Sequence, residues 1–361
     1  MVKMVAHKIT AKIQTILATS TLPIALVTLT PSVAHAFQFS NLYVFGDSLS
    51  DVGQFSKATG GLLPPGQLGY FDGRFTNGPN WIDYLAVELG LPPSTTQTNF
   101  AIGGATTGGQ NSAIPGLPGL QQEIAGFTLA NPHADPNALY VVWAGSNDYL
   151  DVIGQTDPTI PVANLANAIA ALSNVGAKNI LVANLPDLGR TPLVAGRGPE
   201  VSGAVSGFVQ GHNTLLAQTL TALGPQLAPQ GVTLISLDVN SLFNDAIDNP
   251  SKYRFTNTAD ACLFPSPLFF PAGPVTICSN PNQYVFWDSL HPTTVTHQFV
   301  AETAYEAISA SAIPEPPATA GLVLFGAFLA GLTALKRKRK LQIAIDPLES
   351  EQLVDLNRKA R

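Results

Sequence analysis

The chain has 361 residues, of which 45% are hydrophobic and 12% charged, and its formal net charge at pH 7 is −6. This is enough apolar sequence for one sizeable core, and Gly and Pro are scattered without a period, which excludes a collagen-like chain. Residues 37–313 carry 7 Lys and Arg against 19 Asp and Glu, a net charge of −12, which argues against a nucleic-acid partner. The sequence has no phosphate-binding loop and no clustered Cys/His metal site, so we expect no cofactor and no metal.

The first 36 residues have the pattern of a secretory signal peptide. Three lysines precede an apolar stretch at residues 13–27, and Ala34-His35-Ala36 is an A-x-A cleavage pattern. The alternative, a first transmembrane helix, is weaker because polar residues and Pro23 interrupt the apolar run. We therefore expect export, with a mature chain that begins at Phe37.

Short apolar runs alternate with helical patterns through the body of the chain. This alternation predicts an α/β fold whose parallel sheet is covered by helices on both faces. The predicted strands are 42–45, a weak one at 96–101, 139–144, 179–183 and 232–237, and the main predicted helices are 81–89, 165–175, 205–223 and 294–310.

A serine follows the first predicted strand. Ser48 lies in Gly46-Asp47-Ser48-Leu49, and a strand end of an α/β sheet is where a reactive side chain can face a crevice. A serine becomes a nucleophile when a neighbouring base takes its proton. Taken alone, the tripeptide Gly46-Asp47-Ser48 is better explained by a simple turn, which all three residue types favour. We interpret Asp47 and Asp51 as turn and capping residues.

A histidine with an acid three residues before it lies near the end of the same region. A carboxylate at Asp288 can bond one ring nitrogen of His291 and leave the other for a nucleophile. A lone Asp-x-x-His is more often the start of a surface helix, but few other histidines are available. We interpret those, His133, His212 and His297, as solvent-facing or packing residues.

Two further positions suit the stabilisation of an oxyanion, which needs donors held in place beforehand. Asn147 follows the predicted strand 139–144, and Gly104 can bring a backbone N–H close to a ligand. The backbone N–H of Ser48 is the third candidate. The alternatives are an Asn in an Asx-turn and a glycine required for positive φ.

These segments, in this order, resemble the four blocks of the SGNH (GDSL-type) hydrolase family. The resemblance implies a three-layer α/β/α sandwich with a five-stranded, flavodoxin-like parallel sheet. It implies a Ser48 nucleophile, an Asp288–His291 pair and an oxyanion hole of Ser48, Gly104 and Asn147, with Gly103 as the alternative to Gly104. Residues 73–83 and 185–192 resemble the lipase/acylhydrolase branch, and the resemblance covers a single hydrolase domain, 37–313.

The two cysteines, Cys262 and Cys278, lie in a Pro-rich insertion at residues 260–281. Export to an oxidising compartment favours a disulfide between them, and two free thiols are the alternative.

The C-terminal region indicates an anchor. Residues 318–335 are uncharged and long enough to span a membrane, and five consecutive basic residues, 336–340, predict their cytoplasmic side. With Pro314-Glu315-Pro316, the segment 314–340 resembles a PEP-CTERM sorting signal, which implies anchoring at a Gram-negative cell envelope and removal of the span by a sorting protease. A short polar tail, 341–361, departs from that pattern.

The expected function is that of an exported, monomeric serine esterase or lipase-like acylhydrolase. Its substrate is a small-molecule, lipid or acylated-sugar ester, with an acyl pocket built by the loops 60–73 and 262–278. A polysaccharide O-deacetylase on the same triad and a non-catalytic envelope or matrix scaffold are the alternatives.

Overall fold

The computed structural model describes residues 38–150, 157–268 and 274–312. Its central sheet contains four parallel strands in the order β1-β2-β3-β4. These are β1 (Leu42–Gly46), β2 (Leu139–Trp143), β3 (Asn179–Ala183) and β4 (Thr233–Leu237). Strands β1 to β3 are near-continuous apolar runs, as is typical of parallel strands that are buried on both faces.

The weak fifth strand predicted at 96–101 is present only as an isolated parallel bridge between Val44 and Asn99. The backbone N–H of Gly46 explains why the ladder does not extend further. It donates to Oε2 of Glu123 at 2.8 Å and is not free to bond the segment beside it, although the Ile102 N–H still donates to the Gly46 carbonyl at 3.1 Å. A bond to a side chain thus takes the place of a ladder bond.

Nine α-helices lie in the described part of the chain. Four of them match the four predicted helices, and most of their ends agree to within a few residues. In chain order, α1 to α9 are Gln54–Ala58, Trp81–Glu88, Leu120–Ala130, Ser146–Leu150, Thr159–Val175, Pro192–Ala195, Pro199–Leu227, Val239–Asp248 and Thr294–Ala312.

Residues that are adjacent along a strand of the central sheet belong to different apolar clusters. This shows which helices cover each face of the sheet. Val44 and Val141 pack with residues of α2, α8 and α9, whereas Phe45 and Val142 pack with α3, α5 and the second half of α7. Since side chains alternate along a strand, each cluster covers one face of the sheet. The α/β sandwich with helices on both faces is therefore confirmed, with four strands rather than five.

Four short strands lie outside the central sheet, and the last of them leads into the Asp288–His291 segment. Strand β5 (Asn257–Ala261) pairs in parallel with β8 (Tyr284–Phe286), and β6 (Leu263–Phe264) pairs antiparallel with β7 (Thr276–Ile277). A disulfide joins Cys262 to Cys278 at the open end of this β6–β7 hairpin.

The expected signal peptide, sorting segment, span and tail lie outside the described residues. Among residues 38–150, 157–268 and 274–312, no helix combines the length and apolarity needed to cross a membrane.

Candidate active site

The turn after β1 presents Ser48. Gly46 ends the strand with φ +151°, and a Cβ there would lie 2.0 Å from the Trp143 carbonyl oxygen, so a larger residue would separate β1 from β2. Asp47 accepts the Leu49 N–H at 3.0 Å and closes the turn. The N–H of Ser48 makes no hydrogen bond within the described residues. The turn therefore leaves both the hydroxyl and the amide of Ser48 available for a ligand.

The structure brings Ser48, His291 and Asp288 into one hydrogen-bonded chain. Nε2 of His291 lies 2.9 Å from Oγ of Ser48. Nδ1 of the same ring lies 2.8 Å from Oδ2 of Asp288. Oδ1 of Asp288 accepts the backbone N–H groups of Leu290 and His291 at 2.8 and 2.7 Å, which fixes the turn after β8. These contacts assign the ring proton to Nδ1 and leave Nε2 as the acceptor for the serine proton.

Asp288 is buried but keeps its charge. Burial by itself raises the pKa of its carboxyl group. Attraction to His291, hydrogen bonds from the His291 ring and backbone, and the Tyr70 hydroxyl outweigh burial and hold the pKa below its usual value. At neutral pH the carboxylate is therefore ionised and can stabilise an imidazolium.

The backbone N–H groups of the two candidate oxyanion glycines differ in their hydrogen bonding. The Gly103 N–H donates to Oδ2 of Asp51 at 2.9 Å, so it is committed to the fold. The Gly104 N–H makes no hydrogen bond within the described residues. Gly104 has φ +83°, and a Cβ there would lie 2.5 Å from Oδ1 of Asn111. This geometry favours Gly104 over Gly103 as the donor.

Asn147 is oriented by contacts at both ends of its amide. Nδ2 donates to the Ala105 carbonyl at 3.0 Å, and Oδ1 accepts from the Ser112 hydroxyl at 3.3 Å. One of the two Nδ2 hydrogens remains for a ligand. Asp148 ties the same turn to the neighbouring loop, because it accepts both the N–H and the hydroxyl of Thr107.

The two segments that resemble the lipase/acylhydrolase branch hold the histidine turn from either side. The Thr76 hydroxyl donates to the Pro292 carbonyl at 2.8 Å. The Leu193 N–H, just beyond the second segment, donates to the Ser289 carbonyl at 2.7 Å. These segments thus act on the site through the backbone around His291.

A small apolar cavity of about 20 Å³ adjoins Ser48, Asn147 and His291. Its other walls come mainly from residues 186–191, Phe243, Phe286 and Leu290. No described residue of the loops 60–73 and 262–278 lines this cavity, and the expectation that these loops build the acyl pocket stays a prediction. Tyr70 and the β6–β7 hairpin pack together around Trp287, next to Asp288.

Three buried carboxyl groups contact the backbone of β1 and the turns beside it. Oε2 of Glu123 accepts the Gly46 N–H at 2.8 Å. Asp51 accepts the Gln54 and Phe55 N–H groups at the start of α1. Burial raises the pKa of Asp47 to about 7, that of Asp51 to about 6 and that of Glu123 well above its usual value. These groups orient the backbone around Ser48.

The remaining histidines of this region are not part of the triad. His133 is exposed, whereas His212 and His297 are buried. Burial lowers the pKa of His212 to about 4 and that of His297 to about 3, so both are neutral under ordinary conditions. His212 is hydrogen-bonded to the Tyr149 hydroxyl at 3.0 Å. Both buried histidines fit the interpretation as packing residues.

Sequence reasoning missed Tyr70. Its hydroxyl donates to Oδ2 of Asp288 at 2.7 Å, across 218 positions of the chain. Tyr70 follows a loop rich in Gly and Pro, and no local motif in the sequence links it to Asp288.

Comparison with known proteins places this geometry in context. The GDSL-like Lipase/Acylhydrolase family matches residues 42–304. Over 326 residues the chain is 31% identical to the phosphatidylcholine-sterol acyltransferase of Aeromonas hydrophila, an alignment that covers 78% of this chain and 94% of that protein. It is 29% identical to the thermolabile hemolysin of Vibrio parahaemolyticus, covering 74% of this chain and 64% of the hemolysin. It is 28% identical to the esterase EstA of Pseudomonas aeruginosa, covering 75% of this chain and 47% of EstA.

Proposed function

Because the chain belongs to the GDSL-like lipase/acylhydrolase family, we propose that it is an exported serine esterase that hydrolyses carboxylic esters through an acyl-enzyme. One observation carries the proposal. The His291 ring lies between the Ser48 hydroxyl, at 2.9 Å, and the Asp288 carboxylate, at 2.8 Å. This is the arrangement that a base needs to take a proton from a serine and to be stabilised as a cation.

The first half-reaction forms the acyl-enzyme. His291 takes the hydroxyl proton of Ser48 as Oγ attacks the ester carbonyl carbon. The negative charge that develops on the carbonyl oxygen is stabilised by the N–H groups of Ser48 and Gly104 and by Nδ2 of Asn147. The imidazolium then donates its proton to the leaving alkoxide as the ester C–O bond breaks.

The second half-reaction regenerates the serine. His291 takes a proton from a water molecule, whose oxygen attacks the acyl carbon, and the same three donors stabilise the second oxyanion. Collapse of this intermediate returns the proton from His291 to Oγ of Ser48 and releases the carboxylic acid. Asp288 stays ionised throughout and stabilises the imidazolium in both halves.

Substitution of the nucleophile tests this function. Ser48→Ala should lower the hydrolysis of p-nitrophenyl esters, from acetate to palmitate, by several orders of magnitude while the protein still folds. Ser40→Ala is a matched control, because it removes an exposed hydroxyl that is bonded to Asp135. Activity above a tenth of wild type in a folded Ser48→Ala variant would remove Ser48 from this role, and a non-catalytic scaffold would show no difference between the two variants.

A polar groove favours a second candidate, deacetylation of a polysaccharide on the same triad. The groove has a volume of about 580 Å³, is lined mainly by amide, hydroxyl and carboxylate side chains, and shares Asp187 with the cavity at Ser48. Such groups suit a hydroxyl-rich alcohol part of an ester. In this case Gln210→Ala, in the groove, should lower kcat/KM for an acetylated polysaccharide and leave that for p-nitrophenyl acetate unchanged. Equal effects on both substrates would oppose a role of the groove in binding the alcohol part.

Export and anchoring complete the proposal. The signal peptide would carry residues 37–313 out of the cytoplasm, and the segment 318–335 would hold the protein at the envelope unless a sorting protease removes it. A chain that ends at Ile313 should be soluble and active, because the proposed catalytic residues all precede it. A tag on Arg361 should survive if the span is retained and be lost if it is processed. Recovery of the full chain from the cytoplasm with Met1 in place would contradict both steps.

A further inference from the structure

We infer that Tyr70 is a positioning residue of this site, whose hydroxyl holds the Asp288 carboxylate in the orientation that His291 requires. The inference rests on the proposed ester hydrolysis. The Tyr70 hydroxyl lies 2.7 Å from Oδ2 of Asp288. Tyr70 is 3% exposed and Asp288 is fully buried, so water does not compete for this bond.

The donors around Asp288 show what Tyr70 adds. Oδ1 is fixed by the backbone N–H groups of Leu290 and His291. Oδ2 accepts from the ring of His291 and from Tyr70. The His291 ring gains and loses its Nε2 proton during each turnover, and its Nδ1–H continues to donate to Oδ2. Burial and the charge of Asp288 raise the pKa of Tyr70 and keep its hydroxyl a donor. Tyr70 is thus a second donor to Oδ2, and it lies on a residue that takes no part in the proton transfer.

The loop that carries Tyr70 is fitted to its neighbours. The Tyr70 ring packs edge-on against the Trp287 ring, with centroids 6.1 Å apart. Gly69, with φ +90°, makes this approach possible, because a Cβ there would lie 2.9 Å from the Trp287 side chain. Trp287 directly precedes Asp288, so the contact between the two rings positions both Tyr70 and Asp288.

The β6–β7 hairpin covers this pair. Tyr70, Cys262, Leu263 and Trp287 form one buried cluster, with Cys278 packed against it. The Cys262 N–H donates to the Phe286 carbonyl at 3.1 Å and the Leu263 N–H to the Trp287 carbonyl at 2.6 Å. The disulfide therefore braces the backbone that leads into Asp288 and the apolar contacts that hold Tyr70.

Tyr70→Phe tests the inference, because it removes the hydroxyl and keeps the ring packed on Trp287. We expect kcat to fall roughly tenfold, which corresponds to about 1.4 kcal/mol, with KM unchanged. The acidic limb of kcat/KM against pH should move to higher pH, because a carboxylate that has lost a donor stabilises the imidazolium more strongly. Tyr140→Phe is the matched control, since it removes a tyrosine hydroxyl that is bonded to the Asp135 carbonyl.

Asp47 in the turn after β1 and His297 in α9 also interact with His291. Both are present in wild type and in Tyr70→Phe, so their contribution cancels in the difference between the two profiles. Replacing Tyr70 by 3-fluorotyrosine provides a second variant of nearly native shape. Its more acidic phenol donates a stronger hydrogen bond, so the acidic limb should move to lower pH, opposite to the phenylalanine variant.

The outcomes separate the two proposals. If Ser48→Ala is active, the proposed function fails. If Ser48→Ala is inactive but Tyr70→Phe matches Tyr140→Phe in kcat and pH profile, or changes only KM, the positioning role alone is overturned. Reduction of the disulfide in the folded enzyme should lower kcat of wild type by a larger factor than kcat of Tyr70→Phe, and equal factors would contradict the bracing of Tyr70 by the hairpin.

Discussion

Replacing Asn147 by alanine removes the side-chain member of the three proposed oxyanion donors. The amide is held between the Ala105 carbonyl and the Ser112 hydroxyl, so the donor is oriented before substrate arrives. Loss of one such preorganised donor typically costs about 10²–10³ in kcat, or roughly 2.7–4 kcal/mol. Because the N–H groups of Ser48 and Gly104 remain, we expect a loss in this range and not complete inactivation.

Two related variants should lower kcat by amounts that differ from the loss in Asn147→Ala. Asn147→Asp keeps the shape of the side chain but puts a negative charge where the oxyanion forms, so it should be less active than Asn147→Ala. Ser112→Ala keeps the donor and removes a 3.3 Å hydrogen bond that orients it. Since a hydrogen bond of this kind contributes about 0.5–1.5 kcal/mol, its loss should cost roughly tenfold or less.

The measurement is steady-state kcat and KM with p-nitrophenyl acetate, together with thermal unfolding of each variant to verify the fold. The reasoning is refuted if folded Asn147→Ala retains kcat within about threefold of wild type, well short of the cost of a lost donor. A change confined to KM would make Asn147 a residue that positions substrate. An Asp variant more active than the Ala variant would show that the amide does not face the developing charge.

Three further predictions concern the cavity, the buried acids and the disulfide. Phe243→Leu should enlarge the cavity beside Ser48 and raise kcat/KM for p-nitrophenyl butyrate relative to acetate by roughly tenfold, the low end of what added methylene groups contribute in an apolar pocket. An unchanged ratio would place the acyl chain elsewhere. Burial raises the pKa of Glu123 above its unfolded value of about 4.5, so the unfolded chain loses this proton first and the folded state loses stability as pH rises from about 4.5 toward the folded pKa. Glu123→Gln cannot ionise, so its free energy of unfolding should fall less than that of wild type between pH 5 and pH 8 in urea titrations, and parallel curves would disprove this account. Cys262 and Cys278 should resist alkylation in exported protein until a reductant is added, and the closed loop should contribute on the order of 3 kcal/mol to stability. Mass spectrometry that finds two alkylated thiols without reductant would oppose the pairing.

The strands and the site were predictable from sequence to different degrees. Strand positions followed from short apolar runs such as Leu139–Trp143, where burial on both faces leaves little room for polar residues. The fifth strand was not predictable in its final form, because the Gly46 N–H, which would extend the ladder, donates to the Glu123 side chain, 77 positions away in sequence. A propensity for strand carries no information about such bonds.

Within the site, local motifs indicated residue identities but not their partners. The choice between Gly103 and Gly104 depends on Asp51, which takes the Gly103 N–H from a distance of 52 positions in sequence. Tyr70 depends on a contact over 218 positions. The walls of the cavity beside Ser48 come from segments that the fold brings together, which loop length and composition do not predict.

The distance along the chain between the proposed nucleophile and its proposed base has a consequence for biosynthesis. Ser48 lies in the turn after the first strand, whereas His291 lies 243 positions later, just before the last described helix. A polypeptide still being made or threaded through a translocation pore holds the serine long before it holds the base. We therefore expect a growing chain to be inert toward esters in the compartment where it is synthesised. The time at which ester hydrolysis begins after release of the chain would then report when the last step of folding is complete.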